Sequence, residues 1–454
     1  MSEKMKKLPA LLLEMPSQNW HKSRLLFHSQ CDRNIEMGCI DFEDLSDPLS
    51  TLSSSIFQIR DLTFPQRQVF LHFDFEGRLL NIELRKNGAF PIKLLERTFQ
   101  GEFNVYEDNC LNLDPKLKEA NYYFDYYQEK VTTNTYLSCE MVVQVIEFLK
   151  ELHTQYPSYE LLNRIVSRYS WDGLLKDRDL FHVVYPTPIT VLPPEIRPDL
   201  NPLFAVLQVT QGCWTHASKR GPCAFCASFR NVTYKEKTLT EIENHVLAVQ
   251  KFVGAQRKNI RKIFLSDGDP MFSKRSSIDM LECILQQWEE ISSFETFIST
   301  SAILSKSIPE WRELKELGIS KLYWGVESGD NATLKMLNKP QNQASLQQAA
   351  KRLDSAQIDY VVILMSGIGQ IEQKGCLDHV HHTSDFISQI GATSVDISKF
   401  SPLKGSDLYR RIHHNELRKP SSEEIEEEHR LLIEHILKKK PQCHIKGAYG
   451  RQFF

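Results

Sequence analysis

The chain has 454 residues, a formal net charge of -3 and ten cysteines. A chain of this length can bury a large core and predicts two domains or one elaborated barrel. The near-neutral charge gives no sign of nucleic-acid binding, and no apolar run is long enough to span a membrane. Because the N-terminus lacks a convincing signal peptide and most cysteines are scattered, we expect a cytoplasmic protein with free thiols.

The N-terminal part of the chain predicts an α+β domain over residues 1–185. Two alternating runs, 69–75 and 78–84, meet at Glu76-Gly77 and predict a β-hairpin, because glycine tolerates the positive φ of such a turn. Helices are predicted at 139–153 and 159–169, and irregular structure at 1–60. A proline-rich stretch, 186–202, predicts a stiff lead into a second domain.

From residue 203 the pattern changes to strand, loop and helix in repetition. The strand-like runs are 203–209, 261–265, 294–300, 320–326, 358–365 and 393–399. Such repeats favour parallel strands with right-handed crossovers. We predict a partial TIM-like (β/α)6 barrel over 203–410, followed by a C-terminal helix and tail over 411–454. A full eight-unit barrel needs about 250 residues and two further strands, which the sequence does not show.

Local signals mark several helix ends. Thr238-x-x-Glu241 and Ser421-x-x-Glu424 are typical of capping boxes, and Gly318 predicts a left-handed C-cap. The acidic run 423–428, with basic residues near the end of the same helix, matches the helix dipole and needs no function. The group His379-Val-His381-His382 predicts a helix face with a capping or packing role.

Three cysteines cluster in the loop after the first barrel strand, whose pattern breaks at Gly212. Cys213, Cys223 and Cys226 form a C-x9-C-x2-C pattern, and clustered thiolates suit zinc or an iron–sulfur cluster. Three ligands leave one metal position open for another molecule. With His216 the same cysteines also match a closed Cys3His zinc site, so the spacing alone leaves zinc and cluster both open.

The later strands of the predicted barrel all end in small, polar or glycine-rich sequence. In such barrels the chemistry lies at the C-terminal ends of the strands, so these groups should converge on the cysteine loop. They are Ser266-Asp267-Gly268-Asp269-Pro270, Ser299-Thr300-Ser301, Gly325-Val326-Glu327-Ser328-Gly329 and Gly367-Ile368-Gly369. A structural zinc site requires none of them, so their presence favours an iron–sulfur cluster beside a polar cofactor.

This order of motifs resembles the radical S-adenosylmethionine (SAM) superfamily over roughly residues 185–410. The resemblance implies that Cys213, Cys223 and Cys226 hold a [4Fe–4S] cluster whose fourth iron binds SAM. It further implies reductive cleavage of SAM to a 5′-deoxyadenosyl radical that takes hydrogen from a substrate, which the sequence does not identify. An electron donor such as flavodoxin or ferredoxin would supply the electron.

The resemblance also implies which residues contact SAM. Phe225 would lie near the adenine, and Gly367 and Ile368 would line it. Asp267, Gly268 and Asp269 would lie near the methionine amino group. Ser299 and Ser301 would contact SAM from the end of the third strand, and Glu327 and Ser328 from the end of the fourth. The commonest cysteine pattern of the superfamily is C-x3-C-x2-C. The longer first gap of this chain leaves the path of residues 214–222 unpredicted.

Overall fold

The structure is a computed structural model. It describes residues 204–447 except 230–231, 274 and 372–374, together with eight strands between Ser23 and Asn134 and scattered residues between 78 and 185. The chain divides into two compact units. The first unit comprises Met1–Pro188, Glu195–Ala205 and Ala248–Ile260, and the second comprises Ile189–Pro194, Val206–Leu247 and Arg261–Phe454. Within the described residues, no helix has both the length and the apolar character needed to cross a membrane.

The first unit contains an antiparallel sheet in which each strand pairs with the next along the chain. Its strands are β1 (Ser23–Leu25), β2 (Ile35–Glu43), β3 (Ser53–Asp61), β4 (Gln68–Phe73), β5 (Leu79–Arg85), β6 (Pro91–Arg97), β7 (Phe103–Glu107) and β8 (Thr132–Asn134). The predicted hairpin is confirmed, because β4 and β5 pair from Gln68 with Arg85 to Phe73 with Leu79.

The expectation of irregular structure over 1–60 was wrong. Strands β2 and β3 pair along their full length, from Ile35 with Asp61 to Glu43 with Ser53. A continuous backbone ladder stabilises serine-rich sequence that has little strand propensity of its own, so the Ser-rich run does not reveal the strand. The helices predicted at 139–153 and 159–169 lie largely outside the described residues.

The second part of the chain forms a seven-stranded parallel sheet, ordered β9-β12-β13-β14-β15-β16-β17, with a short antiparallel pair β10-β11 beside it. The strands are β9 (Phe204–Gln208), β10 (Thr210–Gln211), β11 (Lys235–Glu236), β12 (Lys262–Ser266), β13 (Ser293–Ile298), β14 (Ile319–Glu327), β15 (Tyr360–Ser366), β16 (Ser394–Lys399) and β17 (His444–Gly447). This partial TIM-like barrel confirms the six predicted strands. The seventh, β17, pairs with β16 and was not predicted.

Helices alternate with these strands. They are α1 (Trp214–Ala217), α2 (Leu239–Val253), α3 (Ser277–Gln287), α4 (Thr300–Leu304), α5 (Ile308–Glu316), α6 (Asn331–Met336), α7 (Gln343–Ala356), α8 (Gly375–Ser388), α9 (Asp407–His413) and α10 (Ser422–Lys439). Both predicted capping boxes are present, since Thr238 and Ser421 each exchange hydrogen bonds with the Glu three residues later. Gly318 follows α5 with φ +104°, as predicted.

The core of the barrel lies between the sheet and its helices. Leu322, Trp324 and Val326 alternate along β14 and are fully buried. The alternation turns the intervening side chains of the strand to the other face of the sheet. Because all seven strands run parallel, their C-terminal ends share one edge, and the predicted site residues follow those ends.

Candidate functional site

The cysteine loop begins at Gly212, directly after strand β10 ends. This glycine has φ +69°, and its N–H donates to the Asp267 carboxylate at 2.9 Å. The next residue, Cys213, is the N-cap of the short helix α1. Further along, the Cys226 N–H donates to the Cys223 carbonyl at 3.1 Å, which closes a tight turn between these two cysteines. The loop therefore delivers all three thiols from the end of one strand.

The three thiols lie close enough to influence one another. Each is half-buried. Burial raises the pKa of Cys213 to about 12 and that of Cys226 to about 11, and the neighbouring Cys223 contributes to both rises. Burial also raises the pKa of Cys223. Among the described residues, no group of three or more His, Cys, Asp or Glu side chains is arranged around a single metal ion. The donor chemistry, three sulfurs from one loop, fits an iron–sulfur cluster, which is larger than one ion.

His216 lies on helix α1 within the same loop. Its ring meets Phe229 edge to face, with the ring centroids 6.4 Å apart. The zinc alternative needs His216 and the three cysteines to surround one ion, and they do not form such a group.

Contacts at both ends fix the path of residues 214–222, the segment between Cys213 and Cys223 that the sequence left unpredicted. Trp214 donates its indole N–H to Asp269 at 2.9 Å and stacks on Phe272 at 4.2 Å. At the other end Arg220 donates to the Asn338 side chain at 3.1 Å, and the Asn338 amide donates back to the Arg220 carbonyl at 3.1 Å. We call this reciprocal pair the Arg220–Asn338 clasp.

The predicted element after strand β12 lies against the cysteine loop. A Cβ atom at Gly268 would stand 2.5 Å from the Cys213 Cβ and 3.0 Å from its Cα, so only glycine fits there. The Asp267 carboxylate accepts from Gly212 and, at 3.3 Å, from the Gln208 amide. Burial raises the pKa of Asp267 to about 7. Gly268 and Asp267 thus hold the base of the loop.

Asp269 joins the loop to the end of the third barrel strand. Its Oδ2 accepts from the Trp214 indole and, at 2.5 Å, from the Ser299 hydroxyl. Burial raises the pKa of Asp269 to about 6, although these hydrogen bonds oppose the rise. Ser299 is also the N-cap of helix α4, and Ser301 lies partly exposed in that helix.

Glu327 follows a bulge in strand β14 with φ +65° and is paired with a lysine. Its Oε1 lies 3.5 Å from the Lys339 Nζ, and both side chains are nearly fully buried. Burial raises the pKa of Glu327, against the opposing effect of the lysine. The Lys339 Nζ is also 5.9 Å from the centroid of the Phe225 ring, so this ion pair borders the cysteine loop.

The rest of the Gly-x-Glu-Ser-Gly element packs against helix α8. Ser328 and the buried His379 share a hydrogen bond of 2.8 Å, and Gly329 donates to Thr383 at 2.9 Å. Burial lowers the pKa of His379 to about 4. His382 pairs with Asp330 at 2.8 Å. The predicted packing role is confirmed for His379, whereas His381 and His382 are exposed.

The glycine element after strand β15 contacts helix α10 through a carboxylate that sequence reasoning missed. The N–H groups of Gly367 and Gly369 donate to Glu428 Oε1 at 2.6 and 3.2 Å. Burial raises the pKa of Glu428 to about 7. Ile368 is fully buried in a cluster with Ala224 and Leu408, with Phe225 packed against it. The element is therefore brought to the cysteine loop, with its two glycine amides bonded within the protein.

A comparison with protein families agrees with this arrangement. A model of the radical SAM superfamily matches residues 207–376. These residues form a radical SAM domain. Radical SAM proteins use a [4Fe–4S] cluster and SAM. The matched range contains the cysteine loop and every residue predicted to contact SAM, whereas Glu428 lies beyond it.

Several solved structures are similar to parts of this chain. The cobalamin-dependent SAM radical enzyme OxsB is 16% identical over 49% of this chain and 30% of that chain, with a TM-score of 0.32. The match thus spans less than a third of that enzyme. HydG from Carboxydothermus hydrogenoformans is 15% identical over 67% of this chain and 70% of that chain (TM-score 0.35). Methylornithine synthase is 14% identical over 67% of this chain and 78% of that chain, with a TM-score of 0.37. A comparison with curated proteins finds no match.

Two charged residues near the predicted site residues, Lys339 and Glu428, were missed from sequence. Lys339 follows helix α6 in the segment Asn338-Lys339-Pro340, which looks like an ordinary solvated turn. Glu428 belongs to an acidic run whose spacing matches the helix dipole. A basic residue soon after the fourth-strand element was the available signal for Lys339, since an acidic partner at a buried strand end calls for a cation.

Proposed function

We propose that the chain is a radical SAM enzyme whose Cys213, Cys223 and Cys226 ligate a [4Fe–4S] cluster, with SAM on the remaining iron. When bound, this pair of cofactors supplies a 5′-deoxyadenosyl radical by one-electron cleavage of SAM, and the radical abstracts hydrogen from a substrate. The observation that carries the proposal is the three-thiol loop, with Gly268 of the second-strand element packed directly on Cys213. The substrate is not identified.

We further propose how the predicted site residues serve SAM. Those proposed to line its site are Phe225, Asp267, Gly268, Asp269, Ser299, Ser301, Glu327, Ser328, Gly367 and Ile368. Their common position at the C-terminal edge of the parallel sheet supports this assignment. The hydrogen bonds of Asp267 and Asp269 to the cysteine loop support a second role, in which these carboxylates orient the loop.

The partners and location follow from the chemistry. The proposed reaction consumes one electron per SAM cleaved, so an electron donor such as flavodoxin or ferredoxin must dock near the cysteine loop. A reducing cytoplasm suits free cysteine thiols and a reduced cluster. Six cysteines in the described part of the chain are free, which supports that location. The domain boundaries predicted at residues 185 and 410 stay predictions.

The test is anaerobic reconstitution of the full chain with iron and sulfide, followed by assay of SAM cleavage under dithionite. We expect 5′-deoxyadenosine from the wild type and none from Cys223→Ala or Cys226→Ala. Cys283→Ala removes a thiol far along the chain from the loop, on helix α3, and serves as the matched control that should keep full activity. A colourless protein that holds stoichiometric zinc and leaves SAM intact would overturn the proposal.

A further inference from the structure

Lys339 is a charged residue that the proposed function does not use. Its side chain is nearly fully buried, which is unusual for lysine and requires a partner. That partner is Glu327, with its Oε1 3.5 Å from the Lys339 Nζ. A Cβ atom at Gly325 would stand 3.2 Å from the Glu327 Oε1 and 3.4 Å from the Lys339 Nζ, so this glycine lies directly against the ion pair.

The backbone around Lys339 also holds the cysteine loop. The Lys339 carbonyl accepts from Arg220 Nη2 at 2.6 Å, as part of the Arg220–Asn338 clasp. One turn away, the Ala224 N–H donates to the Leu337 carbonyl at 2.8 Å. Ala224 lies between Cys223 and Cys226 in sequence. The same segment therefore fixes the cysteine loop and directs a lysine ammonium towards it.

The electrostatics of the site agree with that placement. The positive charge of Lys339 lowers the pKa of Cys223 and Cys226, against the larger effect of their burial. In the other direction, burial disfavours the charged ammonium, but Glu327, Cys223 and Cys213 outweigh it, and the pKa of Lys339 is raised. Because its Nζ also lies 5.9 Å from the centroid of the Phe225 ring, Lys339 is a buried cation that borders the cysteine loop.

We propose that Lys339 is the counter-charge of the cluster held by the three cysteines and raises its reduction potential. This inference rests on the proposed function. One-electron reduction makes the cluster and its thiolates more negative by one unit, with no proton taken up. A cation held in a buried site favours the more negative state, because the attraction is weakly screened there. Glu327 offsets part of the effect, so the pair sets the potential together.

The test compares variants that differ by a single charge. Glu327→Gln removes the carboxylate and leaves Lys339 charged, whereas the double variant Glu327→Gln/Lys339→Met removes the cation as well and leaves no buried charge unpaired. Both are reconstituted anaerobically, assayed for iron and sulfide, and titrated with dithionite without SAM while the reduced cluster is followed by EPR. Omitting SAM removes any effect of the variants on SAM binding. Lys335→Met, on the exposed side of helix α6, is the matched control.

We expect the double variant to have an equilibrium constant for one-electron reduction at least about tenfold below that of Glu327→Gln, a shift of about 59 mV for a one-electron couple. The reduction potential of Glu327→Gln alone should lie above that of the wild type. The potential of Lys335→Met should equal that of the wild type. Lys339→Arg, which keeps the charge, should stay near the wild type.

Equal potentials for Glu327→Gln and the double variant would overturn the inference and leave the proposed function intact. If the double variant takes up no cluster, the test depends on Glu327→Gln alone. A potential in Glu327→Gln equal to that of the wild type would then overturn the inference. A wild-type protein that assembles no iron–sulfur cluster would instead refute the proposed function.

Discussion

Replacement of Gly268 by alanine should separate the cysteine loop from the strand that supports it. The added Cβ would lie 2.5 Å from the Cys213 Cβ, 3.0 Å from the Cys213 Cα and 3.1 Å from the Phe229 ring, where ordinary contacts begin at 3.4 Å. One neighbour is backbone, so the clash cannot be relieved by a rotamer change. Overpacking of this kind costs about 1–3 kcal/mol.

Part of this cost should appear as weaker retention of the cluster, because the group displaced is a proposed ligand. Since about 1.4 kcal/mol corresponds to a factor of ten, the full cost would lower retention by about 5- to 150-fold, and we expect a fall within that limit. The measurements are iron and sulfide per chain after anaerobic reconstitution, and chemical unfolding of the metal-free protein.

Gly318→Ala is the matched control for this experiment. Gly318 lies at the opposite ends of the strands, with φ +104°, and its Cβ would stand 2.9 Å from the Ser292 carbonyl. Alanine there should cost roughly 1–2 kcal/mol of stability through backbone strain and still leave iron loading unchanged. If both variants lose iron in step with stability, or if Gly268→Ala keeps full iron, the assigned role of the Gly268–Cys213 contact is refuted.

Three further predictions concern the loop and helix α10. Asn338→Gly keeps the φ of +52° but removes the amide of the Arg220–Asn338 clasp. The free energy of unfolding of the metal-free protein should therefore fall by about 1–3 kcal/mol. An unchanged midpoint of chemical unfolding would contradict a stabilising role of the clasp. His216→Ala should leave iron and sulfide content unchanged, whereas loss of all bound metal would favour the Cys3His zinc site. Burial raises the pKa of Glu428 from 4.5 to about 7, so between these values the folded chain holds a proton that the unfolded chain releases, and this contribution to stability falls as pH rises. Glu428→Gln should therefore gain stability relative to the wild type by up to a few kcal/mol from pH 4.5 to 7, and a difference that does not vary with pH would refute this.

The barrel was predictable because its signals are local. Each strand is a short apolar run, and each confirmed helix end depends on residues within one turn, such as Ser421 with Glu424. Strand β17 escaped prediction because only His444–Gly447 pair with β16, and four residues carry too little pattern. Strands β2 and β3 escaped because their pairing partner, not their own sequence, stabilises them.

The charged residues of the site were harder to predict, because burial depends on the whole fold. Glu423 and Glu427 are exposed, as the helix-dipole interpretation expects, yet Glu428 is fully buried. The difference arises from the turn of helix α10 that faces the glycine element. Lys339 is similar, since only the bulge that brings Glu327 towards it distinguishes it from a solvated lysine.

The polar residues that the motifs predict to touch SAM are bonded chiefly to the protein itself. Asp267 binds Gly212, Asp269 binds Trp214, and Ser328 binds His379. A buried polar group at a strand end needs a partner, and the nearest partner is the cysteine loop or a neighbouring helix. Loss of the Asp267 or Asp269 side chain should therefore disturb the geometry of the thiols in addition to removing a proposed contact with SAM, so both iron content and SAM affinity should fall. A variant that keeps full iron content would contradict the orienting role of these two carboxylates.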